Sequence, residues 1–443
     1  MEINTYILKR KLKAGICRIP YYICGLLPVK KNKIVFSAFE GGGYCCNPKY
    51  IAEELINRGG KANNFAMYDM YWLVNDISKE FPPQIKKIKN NLWNRAYHLS
   101  TAGIWIDNAR KNYGTRKRKQ QHYILTWHGP VGFKPVGRLR GKSFSKIAEI
   151  VSVADAKNVD ILLSNSDWCS EIWKNAFWNE PVKKTGSPRC DVLFNARKEK
   201  RNEIRKKYNL SSDIKIVMCA PTFRGGSQSK ERKVFADIGT IDFGRLKCAL
   251  EKRFGGTWVV FVRLHPQLAL RGISYNNTKD GVIDVTDVDD MYELLAATDA
   301  FVSDYSSAAF DASYMKIPVF LYVDDLDDYV ADRGKLTWNM DEIPFLMSKN
   351  NDELENNIKI FNQERYLDKL ETTGYKRKIF MMNLKKDIEE IIANTDCLFI
   401  YGTGMYGRNI YNILKELDIR IDAFVETKPE KTELFGLPIY SVD

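Results

Sequence analysis

The stretch that most constrains the fold is Ala300–Tyr322, AFVSDYSSAAFDASYMKIPVFLY. An apolar run ends in Ser303-Asp304, two serines occupy a turn, a helical segment follows, and Pro318 introduces a second apolar run. The order is strand, turn, helix, strand. A strand that empties into a helix N-terminus leaves backbone N–H groups and the positive end of the helix dipole facing outward, which attracts anions. Ser306 and Ser307 would add hydroxyl donors, so a phosphate is expected there. The alternative is that the two serines only cap the helix.

The same rhythm begins at Lys33, where short apolar runs alternate with helical segments as in a doubly wound α/β sheet. Lys33–Phe39 reads as a first strand feeding Glu40-Gly41-Gly42-Gly43, whose glycines let the backbone approach a ligand or another segment closely. Further strands are expected at residues 71–75, 103–107, 123–126, 160–164 and 182–185. In open α/β sheets ligands bind beyond the carboxyl ends of the strands. Thr126-Trp127-His128-Gly129-Pro130 and Gly186-Ser187-Pro188-Arg189-Cys190-Asp191 stand at such ends.

The charged run 197–207 has no wide apolar face and reads as a domain boundary. The α/β pattern then restarts, with Ile214–Ala220 leading into Pro221-Thr222-Phe223-Arg224, Trp258–Val262 into Arg263-Leu264-His265-Pro266, and Val282–Val285 into Asp287, read as a helix cap. The expected divisions are a basic N-terminal arm (1–32), an N-terminal Rossmann-like domain (33–195), a C-terminal one (208–392), and a partial Rossmann-like βαβ fragment (396–443). That last fragment carries Gly402-Thr-Gly404-Met-Tyr-Gly407 between an expected strand and helix. The chain holds too few strands there for a complete dinucleotide fold, so a vestigial or docking role is expected rather than cofactor binding.

The 443 residues are enough for about three domains, and 68 Lys and Arg against 55 Asp and Glu leave a formal charge of +13. Such a surface attracts phosphate-rich partners. No RNA-binding motif, stacking ladder or helix-turn-helix pattern points to nucleic acid. Nine scattered cysteines lack metal-ligand spacing and suit free thiols in a reducing cytoplasm. The acidic stretches 287–290 and 324–328 are expected to cap helices and balance basic loops, so neither a metal nor a cofactor is expected. No apolar run reaches the ~20 residues needed to span a bilayer. The N-terminal segment, basic around Lys9–Lys13 and apolar from Ile19, reads as interrupted by Pro20, Gly25 and Pro28. It suits either an anionic membrane face or packing on its own domain.

Among four histidines, His128 and His265 directly follow expected strands at corresponding ends of the two halves. A histidine there can accept a hydroxyl proton or, when charged, donate to a phosphate. Arg263 shares the strand end with His265, and Arg224 stands on a parallel turn. Both guanidinium groups suit phosphate oxygens, or else carboxylate partners. Asp304 and Asp311 flank the serines, where a carboxylate suits a ribose hydroxyl or a base.

Taken together, Thr126-Trp-His-Gly-Pro, Gly186-Ser-Pro-Arg-Cys-Asp, Ala220-Pro-Thr-Phe-Arg, Arg263-Leu-His-Pro, Ser303-Asp-Tyr-Ser-Ser with Phe310-Asp311, and Arg333-Gly334 occur in an order that resembles the CDP-glycerol glycerophosphotransferase family of teichoic acid and capsule synthesis. The resemblance spans roughly residues 33–385. It implies a GT-B-like architecture, two Rossmann-like domains facing a cleft with the nucleotide on the C-terminal side.

By that resemblance His128 looks like the catalytic base, Arg263 and His265 act on the transferred phosphate, and Ser306 and Ser307 hold the nucleotide phosphates. Asp304, Asp311, Arg224 and Thr222 are expected beside them at the donor nucleotide. Gly42, Gly43, Arg189 and Arg333 are placed at the acceptor side of the cleft. Pro130-Val131 replaces the family's common Thr-Pro, and Cys190 replaces a usual asparagine. The implied partners are CDP-glycerol or a similar CDP-alcohol and a lipid-linked or glycan acceptor, with the protein peripheral on the cytoplasmic face of an anionic membrane.

Basic residues from Arg110-Lys111 through Arg116–Lys119 and on to Lys134, Arg138, Arg140, Lys142 and Lys146 suit such a surface. Two other readings remain: a GT-B nucleotide-sugar glycosyltransferase, in which attack falls on an anomeric carbon, and a noncatalytic polyanion binder.

Overall fold

The computed structural model describes residues 2–59, 68–129, 132–133, 135–178, 180–222, 240–264, 281–333, 336–338, 343–372 and 399–401, with shorter stretches between 411 and 441. The chain divides into two compact units, Met1–Lys369 and Leu370–Asp443.

In the first unit a seven-stranded sheet is ordered β3-β2-β1-β4-β5-β6-β7. Its strands are β1 (Lys30–Ser37), β2 (Asp69–Val74), β3 (Ile85–Lys89), β4 (Ala102–Asp107), β5 (His122–Leu125), β6 (Ile161–Ser164) and β7 (Val182–Lys184), and every neighbouring pair is parallel. Its crossover helices are α2 (Cys46–Gly59), α3 (Leu92–Thr101), α4 (Lys146–Ala156) and α5 (Asp167–Ala176).

A six-stranded parallel sheet follows, ordered β10-β9-β8-β11-β12-β13: β8 (Lys215–Cys219), β9 (Trp258–Val262), β10 (Val282–Asp284), β11 (Ala300–Ser303), β12 (Val319–Tyr322) and β13 (Leu346–Ser348). All residues of β9, β11 and β12 are buried, as strands covered by helices on both faces must be, and this is why they read as unbroken apolar runs. The chain order reverses between β1 and β4 in one sheet and between β8 and β11 in the other. Loops part there and leave a crevice at the carboxyl ends.

Several expectations change. The segment 197–207 is a helix, α6 (Arg197–Lys207), docked on the second half. Arg201 pairs with Asp299 at 2.7 Å and donates to the Ala297 carbonyl at 3.1 Å. Its few apolar residues suffice because arginines make the contact. The helix assigned to an Asp287 cap is α8 (Met291–Ala296), after α7 (Phe243–Phe254), and Asp290 caps it by accepting from the Tyr292 amide.

Of the interruptions expected at the N-terminus, the one at Pro20 does not occur: Glu2–Cys24 is one helix, α1, which runs through Pro20 and stops at Gly25, whose amide donates to the Tyr21 carbonyl at 2.9 Å. Ile7, Ala14, Tyr21 and Cys24 recur on one stripe and are buried against the first half. Burial of Ile7 and Tyr21 contributes about 1.5–3 kcal/mol each, enough to offset the ~3 kcal/mol cost of a mid-helix proline. Part of the basic 110–119 run also turns inward. Lys111 pairs with Asp107 at 2.6 Å, Arg110 with Glu180 at 2.8 Å, and Lys117 with Asp160 at 2.9 Å.

In the second unit, β14 (Phe399–Tyr401), β15 (Ala423–Glu426) and β17 (Leu437–Ser441) run parallel, with β16 (Glu433–Leu434) antiparallel to β17. The glycines at 402–407 lie outside the described residues.

Candidate active site

The crevice between the two sheets encloses a cavity of about 250 Å³. The first half lines it with Phe39, Cys46, Trp127 and His128, and the second with Thr222, Arg263, Asp289, Ser306 and Ser307. These residues follow β1, β5, β8, β9, β10 and β11, so the crevice draws on the carboxyl ends of both sheets.

His128 is oriented by a neighbouring loop. Its Nδ1 lies 2.7 Å from the Asn108 carbonyl oxygen. A carbonyl only accepts, so Nδ1 carries the proton and Nε2 keeps its lone pair. The Asn108 side chain accepts from the Phe39 amide at 2.8 Å, and the Phe39 ring lies 5.5 Å from the imidazole, while Trp127 stacks on its other neighbour face at 4.6 Å. Phe39, Glu40, Cys46 and Trp127 all hold positive φ, between 46° and 61°. Non-glycine residues in that region store about 1–3 kcal/mol each and persist where surrounding structure imposes them.

The His128 loop touches the serine turn across the crevice. A Cβ on Gly129 would come within 2.6 Å of Ser307 Oγ, and one on Gly132 within 2.8 Å of Ser307 Cβ. Only glycine permits that approach. Gly42 closes a turn by donating to the Ala38 carbonyl at 2.9 Å, and a Cβ on Gly43 would overlap the Asp289 carboxylate. Here the glycine run meets the opposite half.

Ser306 Oγ accepts from the Ala308 amide at 3.2 Å, and Ser307 makes no side-chain cap bond to the helix it precedes. That helix, α9 (Ala308–Ala312), has only five residues. Its dipole is correspondingly weak, so an anion there would depend on hydroxyls and amides more than the strand–helix pattern implies.

Arg263 is 4% exposed and donates to the carbonyls of Val285, Thr286 and Asp289 at 3.2–3.4 Å. Carbonyls hold its plane without cancelling its charge. Burial lowers its pKa from the ordinary value, and the surrounding thiol and carboxylates oppose that.

Four residues expected at the ligand pair with one another. Asp304 accepts from the Thr222 amide and hydroxyl at 2.8–3.0 Å and so ties the β8 turn to the β11 turn. Arg189 and Asp311 form a buried ion pair at 2.9 Å, each about 1% exposed, and the Tyr292 hydroxyl donates to the same carboxylate at 2.5 Å. Burial works against the Arg189 charge, but Tyr292 and Asp311 outweigh it and raise its pKa. The pair joins the two halves and does not face the crevice. His265 and Arg224 lie outside the described residues, as does the Arg333 side chain.

Further contacts set the walls. Lys49 bridges to Asp290 at 3.0 Å and Glu293 at 2.7 Å, and Lys79 pairs with Asp289. Phe133 stacks on Phe310 at 4.9 Å, and Trp168 meets Trp338 at 4.6 Å. Sequence reasoning missed Asn108 and Lys49. Asn108 acts through its backbone carbonyl, which every residue possesses, and Lys49 sits in an ordinary-looking helix.

Two parallel Rossmann-like sheets with a ligand-sized crevice at their carboxyl ends define a GT-B-like transferase scaffold. Residues 20–394 match the model of the CDP-glycerol:poly(glycerophosphate) glycerophosphotransferase family, and the chain belongs to that family. It is 31% identical to the teichoic acid poly(glycerol phosphate) polymerase of Staphylococcus epidermidis, over 69% of this chain and 42% of that protein. With the protein of the same name from Bacillus spizizenii it shares 26% identity, over 74% of this chain and 83% of that one. A solved structure of the wall teichoic acid polymerase TagF superposes with a TM-score of 0.67 at 25% identity, covering 87% of this chain and 99% of that one. The chain thus spans less than half the length of the first of these relatives.

Proposed function

We propose that this protein transfers glycerol phosphate, or a related polyol phosphate, from a CDP-alcohol to a hydroxyl of a lipid-linked or glycan acceptor in teichoic acid synthesis, releasing CMP. The observation that carries this reading is the contact between the His128 loop and the Ser306–Ser307 turn. A base with its lone pair on Nε2 and a hydroxyl-and-amide anion site meet across one crevice, as in-line attack on a bound phosphate requires.

His128 accepts the acceptor hydroxyl proton as the oxygen–phosphorus bond forms. The bond from phosphorus to the bridging oxygen breaks, and CMP departs with that oxygen. Ser306 and Ser307 hold the nucleotide phosphates, and Arg263 stabilises developing charge; His265 and Arg224, outside the described residues, are assigned to the transferred phosphate and the donor nucleotide from the sequence alone. Asp304 and Thr222 hold the turns in place, and the Arg189–Asp311 pair fixes the two halves at the spacing the attack needs.

The acceptor reaches the crevice from an anionic membrane surface. Among the described residues no helix is long and apolar enough to cross a bilayer. On α1, however, Leu8, Leu12, Ile16, Ile19, Tyr22 and Ile23 are 51–67% exposed, and at 100° per residue they fill an arc of roughly 120° opposite the buried stripe. Lys9 borders that arc on one side and Lys11 and Arg18 on the other. An apolar ridge between basic shoulders suits a helix lying in the interface of an anionic leaflet. Eight described cysteines are free thiols, in keeping with the cytoplasmic face.

Calorimetric titration tests the donor assignment. CDP-glycerol is expected to bind the wild-type protein and to lose about tenfold or more in affinity on the double substitution Ser306→Ala/Ser307→Ala. Unchanged affinity would place the donor phosphates elsewhere, and preference for a UDP-sugar would replace phosphoryl transfer with glycosyl transfer.

A further inference from the structure

A second cavity, of about 440 Å³, lies beneath α1 and shares no lining residue with the crevice. Its walls are α1, the start of α3 and the loop that follows β4, and they carry Arg10, Lys13, Arg95, Arg110 and Lys111 against one carboxylate, Glu40. Two of these cations are already matched, Arg110 to Glu180 and Lys111 to Asp107.

The other three are not. Among the described residues Arg10, Lys13 and Arg95 form no ion pair. Arg95 donates to a neutral partner, Asn90, at 3.0 Å, and the Nε atoms of Arg10 and Arg95 are buried without any hydrogen-bond partner. Glu40 is a single carboxylate against these three cations; burial, then repulsion from Asp107, raises its pKa, with Arg95 opposing.

Buried guanidinium N–H groups without acceptors cost free energy, and converging on one cavity they define what would satisfy them: an anion with several oxygens. We propose that this cavity is an anion site that takes a phosphate or diphosphate ester group. Arg10 and Arg95 supply directed N–H donors, and Lys13 supplies a point charge.

The position gives the site a role. Arg10, Lys13 and Cys17 belong to the flank of α1 that turns away from its apolar ridge, so an ester group held there sits just below that ridge. The loop forming the opposite wall begins at Asn108, whose carbonyl orients His128, and Glu40 follows Phe39, whose ring lies against the same histidine. A phosphorylated amphiphile anchored here would keep its apolar part toward the ridge while its polar remainder extends toward the crevice. The site itself does not depend on the transferase reading; only the identification of its ligand with the anionic part of an acceptor rests on it.

The test is titration of the full chain with inorganic pyrophosphate in the presence of saturating CMP, which occupies the crevice, for wild type, Arg10→Gln, Arg95→Gln, Arg10→Lys and Lys11→Gln. Lys11 is an exposed shoulder residue of α1 and serves as the control for general charge loss. Each Gln variant at Arg10 or Arg95 is expected to weaken pyrophosphate about tenfold, Arg10→Lys to recover part of the loss, and Lys11→Gln to match wild type.

Sedimentation with vesicles of phosphatidylcholine containing phosphatidylglycerol distinguishes the source of the phosphate. If Arg10→Gln lowers vesicle binding more than Lys11→Gln while pyrophosphate affinity is unaltered, the site is read by a lipid headgroup. If both variants match in both assays, the anion site does not exist. CDP-glycerol affinity measured on the same proteins is expected to stay at the wild-type value, so failure here is separable from failure of the donor assignment.

Discussion

At the scale of single residues, His128 and Asp311 make opposite predictions. His128 is oriented by the Asn108 carbonyl and packed by the Phe39 and Trp127 rings, and asparagine keeps a polar side chain at that place. His128→Asn is therefore expected to fold and bind CDP-glycerol normally while turnover falls about 10²–10⁴-fold, the usual worth of a positioned general base; initial rates of CMP release check this, and near-normal turnover would remove His128 from the base role. Asp311→Asn instead leaves the Arg189 guanidinium buried without its counter-charge. It is expected to cost about 3–5 kcal/mol of stability, measurable by denaturant unfolding, with the loss expressed whether or not donor is bound. That His128 lines the crevice was legible in the sequence because it follows an apolar run and precedes a glycine. The ion pair was not, because its partners lie 122 residues apart and each looked like a ligand-facing charge. Charged residues at strand ends invite a catalytic reading, and only the packing shows that a pair can satisfy itself.

At the scale of elements, most strands were readable because a parallel sheet buried on both faces writes itself as short apolar runs ending in polar turns. The exceptions obey the same physics. β3, with sequence IKKIK, is an edge strand with only Ile85 buried, so its lysines hid it, and β13 has three residues. α1 was misread as interrupted at Pro20 because proline is a strong local signal, whereas the stripe that overrides it packs on α3, far along the chain. The ridge on its outer face yields its own prediction. Leu12→Ser with Ile16→Ser is expected to leave thermal stability within about 0.5 kcal/mol of wild type, since both side chains are exposed, while sharply reducing sedimentation with anionic vesicles. Unchanged sedimentation would mean that the ridge meets something other than lipid.

At the scale of the whole first unit, the two sheets are joined by charge as well as by stacked rings. Lys49 on α2 reaches Asp290 and Glu293, Lys79 reaches Asp289, and the Phe133–Phe310 and Trp168–Trp338 contacts close the sides. Burial opposes the Lys49 charge, and the carboxylates of Asp290, Glu293 and Glu53 more than restore it. Lys49→Met is accordingly expected to uncouple the halves, so that calorimetric unfolding of the first unit broadens or splits where wild type melts in one step; a single sharp transition in the variant would show that the rings alone suffice.

One consequence of α1 belongs to kinetics. In the proposed placement, a helix locked to the first unit by one face and laid on a bilayer by the other would fix the tilt of that unit as well as its location. The remaining freedom would be sliding and rotation within a plane, and encounter with a membrane-borne acceptor would become a two-dimensional search. Turnover should then follow the surface density of acceptor, and diluting the vesicles at constant lipid composition should leave it nearly unchanged.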